Sequence, residues 1–378
     1  MSAATYAAAL AGLRSLGPGR LRKLLHRFDP EEAWGVVLAG DGAQPPLPKP
    51  RADDLPNLGE VLAREAAAVE PAAVGERCAT LGVGIHLLGR PGSGTSPGYP
   101  SRLAADLDPP PVLFSLGDPS AVTDGHAVTV VGTRNATTAG LDVARELGHA
   151  LAGAGVSVVS GLALGIDGAA HQGALAAGGA SPVGVVACGL DLPYPARHRS
   201  LWAAVANSGV LLAEVPPGVE PQAFRFPRRN RILAALADVV VVVESRRAGG
   251  SLLTVKEAER RGVTVMAVPG SPRNPAAAGT NLLIQNGCHP VLDPTDVLVA
   301  LGLAAEPRAR AGKARRGPDA PDDPGGILDL LAEPATLDDL VTRTGRSLAE
   351  VALELGRLEQ TGWVQRHAHW FERVRKRT

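Results

Sequence analysis

Several residue types are scarce in this chain, and each scarcity argues against one class of protein. The three cysteines, Cys78, Cys188 and Cys288, form no CxxC pair, which argues against a zinc site and against a disulfide framework. Each is expected to be a small buried apolar residue. The N-terminus has no basic stretch before its apolar run, and the longest apolar strand, Val239–Val243, is too short to cross a bilayer. The sequence therefore predicts a cytoplasmic protein without a signal peptide, a membrane span or a metal.

Motifs for common cofactors and catalytic centres are also missing. No GxGxxG follows a predicted strand and no GxxxxGK[ST] occurs, so neither a dinucleotide fingerprint nor a P-loop is present. No GxSxG nucleophile elbow follows a predicted strand, and HExxH and EF-hand patterns are absent. Asp167 and His171 lie four residues apart on one predicted helix face, but no nucleophile is evident near them. A helix-capping carboxylate beside a structural histidine is the preferred interpretation, and no cofactor or catalytic residue is predicted.

The overall charge is balanced. Lysine plus arginine and aspartate plus glutamate number 38 each, so any affinity for nucleic acid must come from a local patch. Aromatic residues make up 3% of the chain, which is few for a protein that stacks many bases. Hydrophobic residues make up 45% of the 378 residues, enough for buried cores in two or three domains.

The N-terminal part, residues 1–75, is predicted to form short helices. Leu13–Leu21 has the pattern of a helix, a tight Gly-Pro-Gly turn and a second helix, with leucines at helical spacing. The pattern resembles a helix-hairpin-helix, which can offer backbone N–H groups to phosphate, although a plain two-helix packing unit is the preferred interpretation. Residues 41–57 hold five prolines and are predicted to be a loop.

The central part, residues 76–303, alternates short valine-rich strands with helices from residue 127 onward. Continuous apolar strands of this kind are typical of a parallel sheet that is buried on both faces. The alternation favours a doubly wound α/β sheet. The predicted strands are Ala127–Val131, Val156–Val159, Val183–Ala187, Val210–Ala213, Val239–Val243 and Val263–Ala267.

The C-terminal part begins with a linker of proline, glycine, alanine and charged residues at 304–324. Residues 325–378 then predict three helices and a two-stranded wing. Ser347 and Glu350 form a capping box for the third helix. Three helices and a wing indicate a winged-helix domain.

Ligands of open α/β sheets bind beyond the carboxyl ends of the strands, so the segments after the strands carry the functional predictions. Gly132, Thr133 and Arg134 follow the first predicted strand and offer a close backbone approach, a hydroxyl and a guanidinium. Ser160 and Gly161 begin a turn of small residues that leads into a helix. Gly250 and Ser251 stand at the start of another helix. Helix N-termini favour anions, so these segments predict a phosphate cradle.

Phe224–Arg231 contains four arginines within seven residues, interleaved with Phe224 and Phe226. Arginines that hold phosphates beside rings on which bases stack are a known arrangement for single strands. A solvated basic loop is the ordinary alternative, and some of these arginines could instead pair with Glu214 or Glu244. A helix start at Arg228 after Pro227 would bring several guanidinium groups together, which favours a bound anion. Phe226, Arg228, Arg229, Asn230 and Arg231 are therefore predicted to bind single-stranded DNA.

These motifs together resemble the DNA-processing protein A family (DprA, also called Smf). Their order and spacing match over about 170 residues, which makes the resemblance specific. It implies an extended Rossmann-like domain, flanked by a small helical domain of helix-hairpin-helix or SAM-like type and a winged helix. It further implies a homodimer that binds single-stranded DNA and helps to load the RecA recombinase in natural transformation, without catalysis. The matching segments are Val131–Arg134, Ser160–Ala163, Gly165–Asp167, Ala170-His171, Gly189–Asp191, Tyr194-Pro195, Phe226-Pro227, Arg229–Ile232, Gly250–Leu252 with Thr254, and Val268–Gly270.

Two other functions remain open from the sequence. A nucleotide phosphoribohydrolase has a similar fold, but its PGGxGTxxE loop is not found, and Gly249-Gly250-Ser251 lacks the following glutamate. A sequence-specific regulator would use the winged helix to read DNA. Its third helix carries Glu350, Glu354 and Glu359 against Arg357, a balance that phosphate would repel. The winged helix is therefore predicted to contact protein.

Overall fold

The computed structural model describes residues 2–40, 57–90, 94–122, 125–303, 323, 326–361, 363–367 and 370–374. The chain divides into two compact units, Met1–Ala304 and Ala305–Thr378. Most of the predicted loop at 41–57 and most of the predicted linker at 304–324 lie outside the described residues. The predicted boundary between a helical domain and a sheet domain near residue 75 falls within one helix, Pro71–Thr80, and stays a prediction.

The first unit is built on a nine-stranded sheet with helices on both faces. Its strands are β1 Gly84–Leu87, β2 Val112–Gly117, β3 Ala127–Val131, β4 Ser157–Ser160, β5 Val183–Val186, β6 Val210–Ala213, β7 Val239–Val242, β8 Thr264–Ala267 and β9 His289–Pro290. Its helices are α1 Ala3–Gly12, α2 Pro18–Arg27, α3 Pro30–Ala39, α4 Leu58–Ala67, α5 Pro71–Thr80, α6 Ser101–Ala104, α7 Thr138–Gly153, α8 Ile166–Ala177, α9 Arg199–Ser208, α10 Arg225–Leu236, α11 Ser251–Glu259, α12 Ala278–Gln285 and α13 Pro294–Ala300.

The strand order confirms the predicted doubly wound, mostly parallel sheet. The order is β1-β2-β6-β5-β4-β3-β7-β8-β9, and the seven strands from β6 to β9 run parallel. Strands β1 and β2 extend the sheet antiparallel beyond β6, and the sequence did not predict them. The chain builds outward from β3 through β4, β5 and β6 and then crosses back to β7. This reversal makes β3 the topological switch point, where doubly wound sheets bind ligands.

Alternating side chains of the buried strands supply cores on both faces of the sheet. Val240 and Val242 pack with α10 and α11, whereas Val239 and Val241 pack with α7 and α8. The N-terminal helices join a third core with the sheet residue Phe114, so they pack on the sheet. Three free cysteines are present; Cys78 and Cys188 are buried as predicted, and Cys288 is half-buried. No described helix is long and apolar enough to span a membrane.

The second unit confirms the predicted winged helix. Its helices and strands are α14 Ile327–Leu330, α15 Leu337–Thr344, α16 Leu348–Gln360, β10 Ala335–Thr336, β11 Val364–His367 and β12 Trp370–Arg373. The Ser347 hydroxyl accepts the N–H of Glu350 and the Glu350 carboxylate accepts the N–H of Ser347, which is the predicted capping box of α16. A separate apolar cluster around Leu340, Val351 and Leu355 stabilises this unit.

Candidate functional site

A cavity of about 670 Å³ lies at the switch point, beyond the carboxyl ends of β3 and β7. We call it the switch-point cavity. It is lined by Val131, Gly132, Thr133, Arg134, Ala163, Asp167, Tyr194, Pro221, Ala223, Phe226, Pro227, Arg229, Asn230, Leu233, Arg246, Ala248, Gly249, Gly250, Ser251, Leu253 and Thr254. Segments from five separate parts of the chain therefore converge on one opening, as the strand-end rule predicts.

Eight of the twelve sequence-predicted site residues line this cavity: Gly132, Thr133, Arg134, Phe226, Arg229, Asn230, Gly250 and Ser251. Ser160, Gly161, Arg228 and Arg231 are not part of its lining. Gly161 lines a smaller adjoining cavity of about 50 Å³ together with Arg134, Tyr194 and Phe226. The structure therefore brings most of the predicted site residues together in one cavity and places the other four outside its lining.

The segment after β3 is held close to the strand beside it. The Thr133 N–H donates to the Glu244 carbonyl at 2.8 Å, which fixes the end of β3 against the end of β7. A Cβ added to Gly132 would lie 2.8 Å from that same carbonyl, so a glycine is needed at this approach. The next residue, Arg134, is exposed, and its guanidinium lies 5.0 Å from the ring centre of Phe226. Arg134 is thus a cation at the mouth of the cavity.

Aromatic rings stand beside that cation. The ring centres of Tyr194 and Phe226 are 5.7 Å apart, with the planes inclined at 52°. Tyr194 is 44% exposed, so part of its surface is open to a ligand. A planar base can stack on such rings while the adjacent arginine holds a phosphate. Tyr194 was not among the predicted site residues, although it stands after β5, where the strand-end rule would have found it.

Helix α10 begins at Arg225, three residues earlier than the sequence predicted. Pro227 is accommodated in the first turn because the N–H groups there have no helical acceptor. The segment Phe224–Arg231 is therefore the first two turns of a helix rather than a loop before one. Its arginines point in different directions, and the sequence could not distinguish them.

Arg229 is buried and serves the fold directly. Its Nη1 donates to the Gly161 carbonyl at 2.9 Å and to the Val185 carbonyl, which ties α10 to the ends of β4 and β5. A Cβ on Gly161 would overlap the guanidinium, which explains the glycine. Burial lowers the pKa of Arg229, and the nearby Asp167 opposes that shift. Arg229 reaches the cavity wall, but its Nη1 is engaged by the two carbonyls and its Nε donates to Oδ1 of Asn230 at 3.3 Å.

Arg231 is also committed to protein partners. Its side chain is 8% exposed, and it forms ion pairs with the buried Glu214 and with Asp108, the latter at 3.1 Å. The sequence left open a pairing with Glu214, and the structure shows that pairing. These ion pairs engage Nε and Nη2 of Arg231 and stabilise the fold, and the DNA contact predicted for this residue stays a prediction. Ser160 is likewise fully buried, and its hydroxyl donates to the Val130 carbonyl at 2.6 Å.

Asp167 lines the cavity, and His171 lies one turn further along the same helix, α8. Asp167 accepts the Gly161 N–H at 3.1 Å, and burial raises its pKa while Arg229 opposes the rise. The residue lies in the first turn of α8, whose N-cap is Gly165, so it braces the preceding loop rather than capping the helix. His171 is fully buried, and burial lowers its pKa to about 4. A neutral imidazole of this kind fits the structural role predicted for it.

The far wall of the cavity is the N-terminus of α11. Gly250 is the N-cap residue and, as a glycine, has no side chain that could accept the first amides of the helix. Ser251 is 8% exposed, and its hydroxyl donates to Ser245 at 2.9 Å. The amides of Leu252 and Leu253 donate to the carbonyls of Gly249 and Gly250, so an anion at this helix end would meet the amides of Gly250 and Ser251. The exposed Arg246 also lines this wall. Like Arg134, it follows a strand end, but it was not among the predicted site residues.

The site holds no evident metal centre. Among the residues that the structure describes, no group of three or more histidine, cysteine, aspartate or glutamate side chains could bind a metal ion. Glu244, which lies next to the site, uses its carboxylate to cap α7: it accepts the Thr137 N–H at 2.9 Å and the Thr137 hydroxyl at 2.6 Å. The chemistry of the site is therefore cationic and aromatic.

Comparisons with known proteins agree with this architecture. The family model for DNA recombination-mediator protein A matches residues 93–302, and the DprA winged helix domain model matches residues 311–368. A putative DNA processing protein DprA from Mycobacterium tuberculosis is 39% identical over 277 residues, which cover 69% of this chain and 68% of that protein. Protein Smf from Escherichia coli is 36% identical over 285 residues, covering 74% and 75%.

Two solved structures share the fold. DNA processing protein A from Streptococcus pneumoniae aligns with a TM-score of 0.64 at 28% identity, covering 79% of this chain and 98% of that one. DNA processing protein A from Helicobacter pylori, described with a single-stranded DNA binding mode, aligns with a TM-score of 0.50 at 27% identity, covering 53% and 92%. The family models, the relatives and the fold agree, and the chain belongs to the DNA recombination-mediator protein A family, whose members are named DprA or Smf.

Proposed function

We propose that this chain binds single-stranded DNA in the switch-point cavity. The observation that carries the proposal is the convergence of Arg134, Phe226 and Tyr194 with the open N-terminus of α11 at one opening. A cation and helix amides suit phosphates, and the rings suit unpaired bases. No partner strand is needed for either contact. The Helicobacter pylori protein, which is described as binding single-stranded DNA, shares this fold.

Within the proposal, the predicted site residues take two kinds of role. Arg134, Phe226, Asn230, Gly250 and Ser251 face the ligand with Gly132 and Thr133. Arg229, Arg231, Ser160 and Gly161 position α10 and the loop after β4, because their polar groups are engaged within the protein. Arg228 lies outside the cavity lining.

The proposal extends to partners and to cellular role. The resemblance to the family supports a homodimer that helps RecA to coat incoming DNA during natural transformation, in the cytoplasm where that DNA arrives. It also supports binding without catalysis. Asp167 is the carboxylate in the cavity lining, and it is buried under the loop that it braces. We therefore expect no free base after incubation with nucleoside monophosphates, and turnover that depends on a cavity residue would favour the phosphoribohydrolase alternative.

A gel shift tests the binding directly. A single-stranded oligonucleotide should be retarded at concentrations where its duplex is not, and unrelated sequences should behave alike. Arg134→Ala should weaken binding and reduce the log–log salt slope by roughly 0.7, the value for one phosphate contact with a single strand. Exposed Arg273, which lines none of the described cavities, provides the matched control as Arg273→Ala. Equal binding by wild type and Arg134→Ala would place the site elsewhere.

A further inference from the structure

Helix α10 has a second basic face, turned away from the switch-point cavity. Phe226, Arg229 and Asn230 line that cavity, whereas Arg225 and Arg228 line another, smaller cavity of about 40 Å³. The spacing of three residues between Arg225 and Arg228 places both on the same side of the helix. Arg229 borders both cavities, so α10 separates them.

The opposite wall of the smaller cavity is the N-terminal hairpin formed by α1, α2 and the turn between them. Arg14, Gly17 and Pro18 contribute to the lining from this side. Arg14 is exposed. Gly17, the N-cap residue of α2, comes so close that a Cβ built on it would lie 3.7 Å from Nη2 of Arg228. Two parts of the chain separated by about two hundred residues thus bring three arginines to one place.

The carboxylate that lies beside these three arginines is already paired with another arginine. Glu214 is the carboxylate in the lining, and it is paired with Arg231. The guanidinium groups of Arg225 and Arg228 lie 5.1 and 4.9 Å from the ring centre of Phe224, which is 38% exposed. Nε of Arg225 is buried and has no hydrogen-bond partner within the described part of the chain. Desolvation, Arg228 and Arg14, in that order, lower the pKa of Arg225, the response of a cation that lacks an anion.

We propose that Arg14, Arg225 and Arg228 form a second phosphate subsite, between the hairpin and α10, for the same DNA strand that occupies the switch-point cavity. The inference rests on the proposed function. At about 40 Å³ the smaller cavity offers far less space than the switch-point cavity, so a phosphate suits it better than a base. It lies across a single helix from the larger one, a separation of about 10–12 Å that a few nucleotides span.

A substitution at Gly17 tests this subsite while leaving the switch-point cavity untouched. Gly17→Asp places a carboxylate beside Arg228, and aspartate is a preferred N-cap residue, so α2 should remain folded. Gly17→Asn supplies the same shape without the charge. Gly35→Asp makes the same charge change at an exposed position of α3 where an added Cβ meets nothing within 4 Å. Each variant would be titrated with oligothymidines of about four and about sixteen nucleotides, the range of site sizes known for single-strand modules.

We expect Gly17→Asp to bind the long oligonucleotide about tenfold more weakly than wild type, the effect of losing one charge-assisted contact. Gly17→Asn should lose much less, and Gly35→Asp should match wild type. Binding of the short oligonucleotide should be the same in all four proteins. Arg14→Ala should reduce the salt slope for the long oligonucleotide by roughly 0.7.

Two results would overturn the subsite, and they can be told apart. If Gly17→Asp binds the long oligonucleotide like wild type while Arg134→Ala weakens both lengths, the strand binds only in the switch-point cavity. If wild type retains neither oligonucleotide, the subsite and the proposed function fail together. A thermal unfolding curve for each variant separates either result from a loss of fold.

Discussion

The ion pair between Arg231 and Glu214 should make Arg231→Ala a stability variant rather than a binding variant. The two side chains are 8% and 13% exposed, so removing the arginine leaves a carboxylate buried without its cation. Breaking a buried pair in this way costs about 3–5 kcal/mol. For a domain of this size we expect the melting temperature to fall by roughly 5–15 °C. Affinity for single-stranded DNA, measured on the fraction that remains folded, should stay close to wild type.

The destabilisation should depend on pH. Burial raises the pKa of Glu214, and Arg231 is the first of the groups that oppose this rise. Without Arg231 the folded protein binds the carboxyl proton more tightly than the unfolded chain does. The group then stabilises the fold most below its ordinary pKa of 4.5, and that stabilisation is lost as the pH rises through the raised folded value.

Urea unfolding at several pH values, together with gel shifts, checks this prediction. Arg231→Ala/Glu214→Gln should recover part of the lost free energy of unfolding, because the orphaned charge is gone. The exposed Arg134→Ala variant should show the opposite behaviour, with unchanged stability and weaker DNA binding. The reasoning fails if Arg231→Ala keeps the wild-type melting temperature and loses as much affinity as Arg134→Ala.

Three further predictions concern other parts of the chain. Phe226→Ala should weaken binding of single strands by about 1–3 kcal/mol with little change in salt slope, because it removes a stacked base rather than a phosphate contact; a changed slope in the salt titration would contradict this. The depressed pKa of His171, about 4 in place of 6.5, means that the folded protein should lose up to about 3 kcal/mol as the pH falls from 6.5 to about 4, and His171→Leu should flatten that profile in denaturant titrations. Deletion of residues 325–378 should leave single-strand affinity largely intact in a gel shift, because the third helix of the winged helix carries exposed Glu350 and Glu359; a loss as large as that of Arg134→Ala would make the winged helix part of the site.

The sheet could be predicted because its central strands are buried on both faces. Runs such as Val239–Val243 are apolar throughout, as expected for a strand that packs against helices on both faces of a parallel sheet. Strand β1 lacks such a run, and in β2 the short apolar run Val112–Phe114 ends at Ser115, whose hydroxyl lies 2.8 Å from Nε2 of His86 on β1. A search for apolar runs does not find a strand whose buried polar residues hydrogen-bond to those of a neighbouring strand.

The location of the site followed from topology, but the roles of its arginines did not. The strand-end rule placed Gly132–Arg134 and Gly250-Ser251 at one opening because parallel strands share an edge. Whether an arginine in α10 faces a ligand depends on Glu214, Asp108 and the carbonyls of Gly161 and Val185. Those partners are distant in sequence, so a local charge run does not reveal them.

The buried arginines also affect how much side-chain entropy the protein would lose when a strand binds. Arg229 and Arg231 fasten α10 to three strand ends, and the guanidinium groups of Arg225 and Arg228 lie 5.1 and 4.9 Å from the ring centre of Phe224. Ordering a long side chain on binding usually costs about 0.5–1.5 kcal/mol. Here that ordering is completed when the protein folds. Helix α10 therefore presents its exposed arginines already ordered, so less side-chain entropy is lost when a flexible polyanion binds.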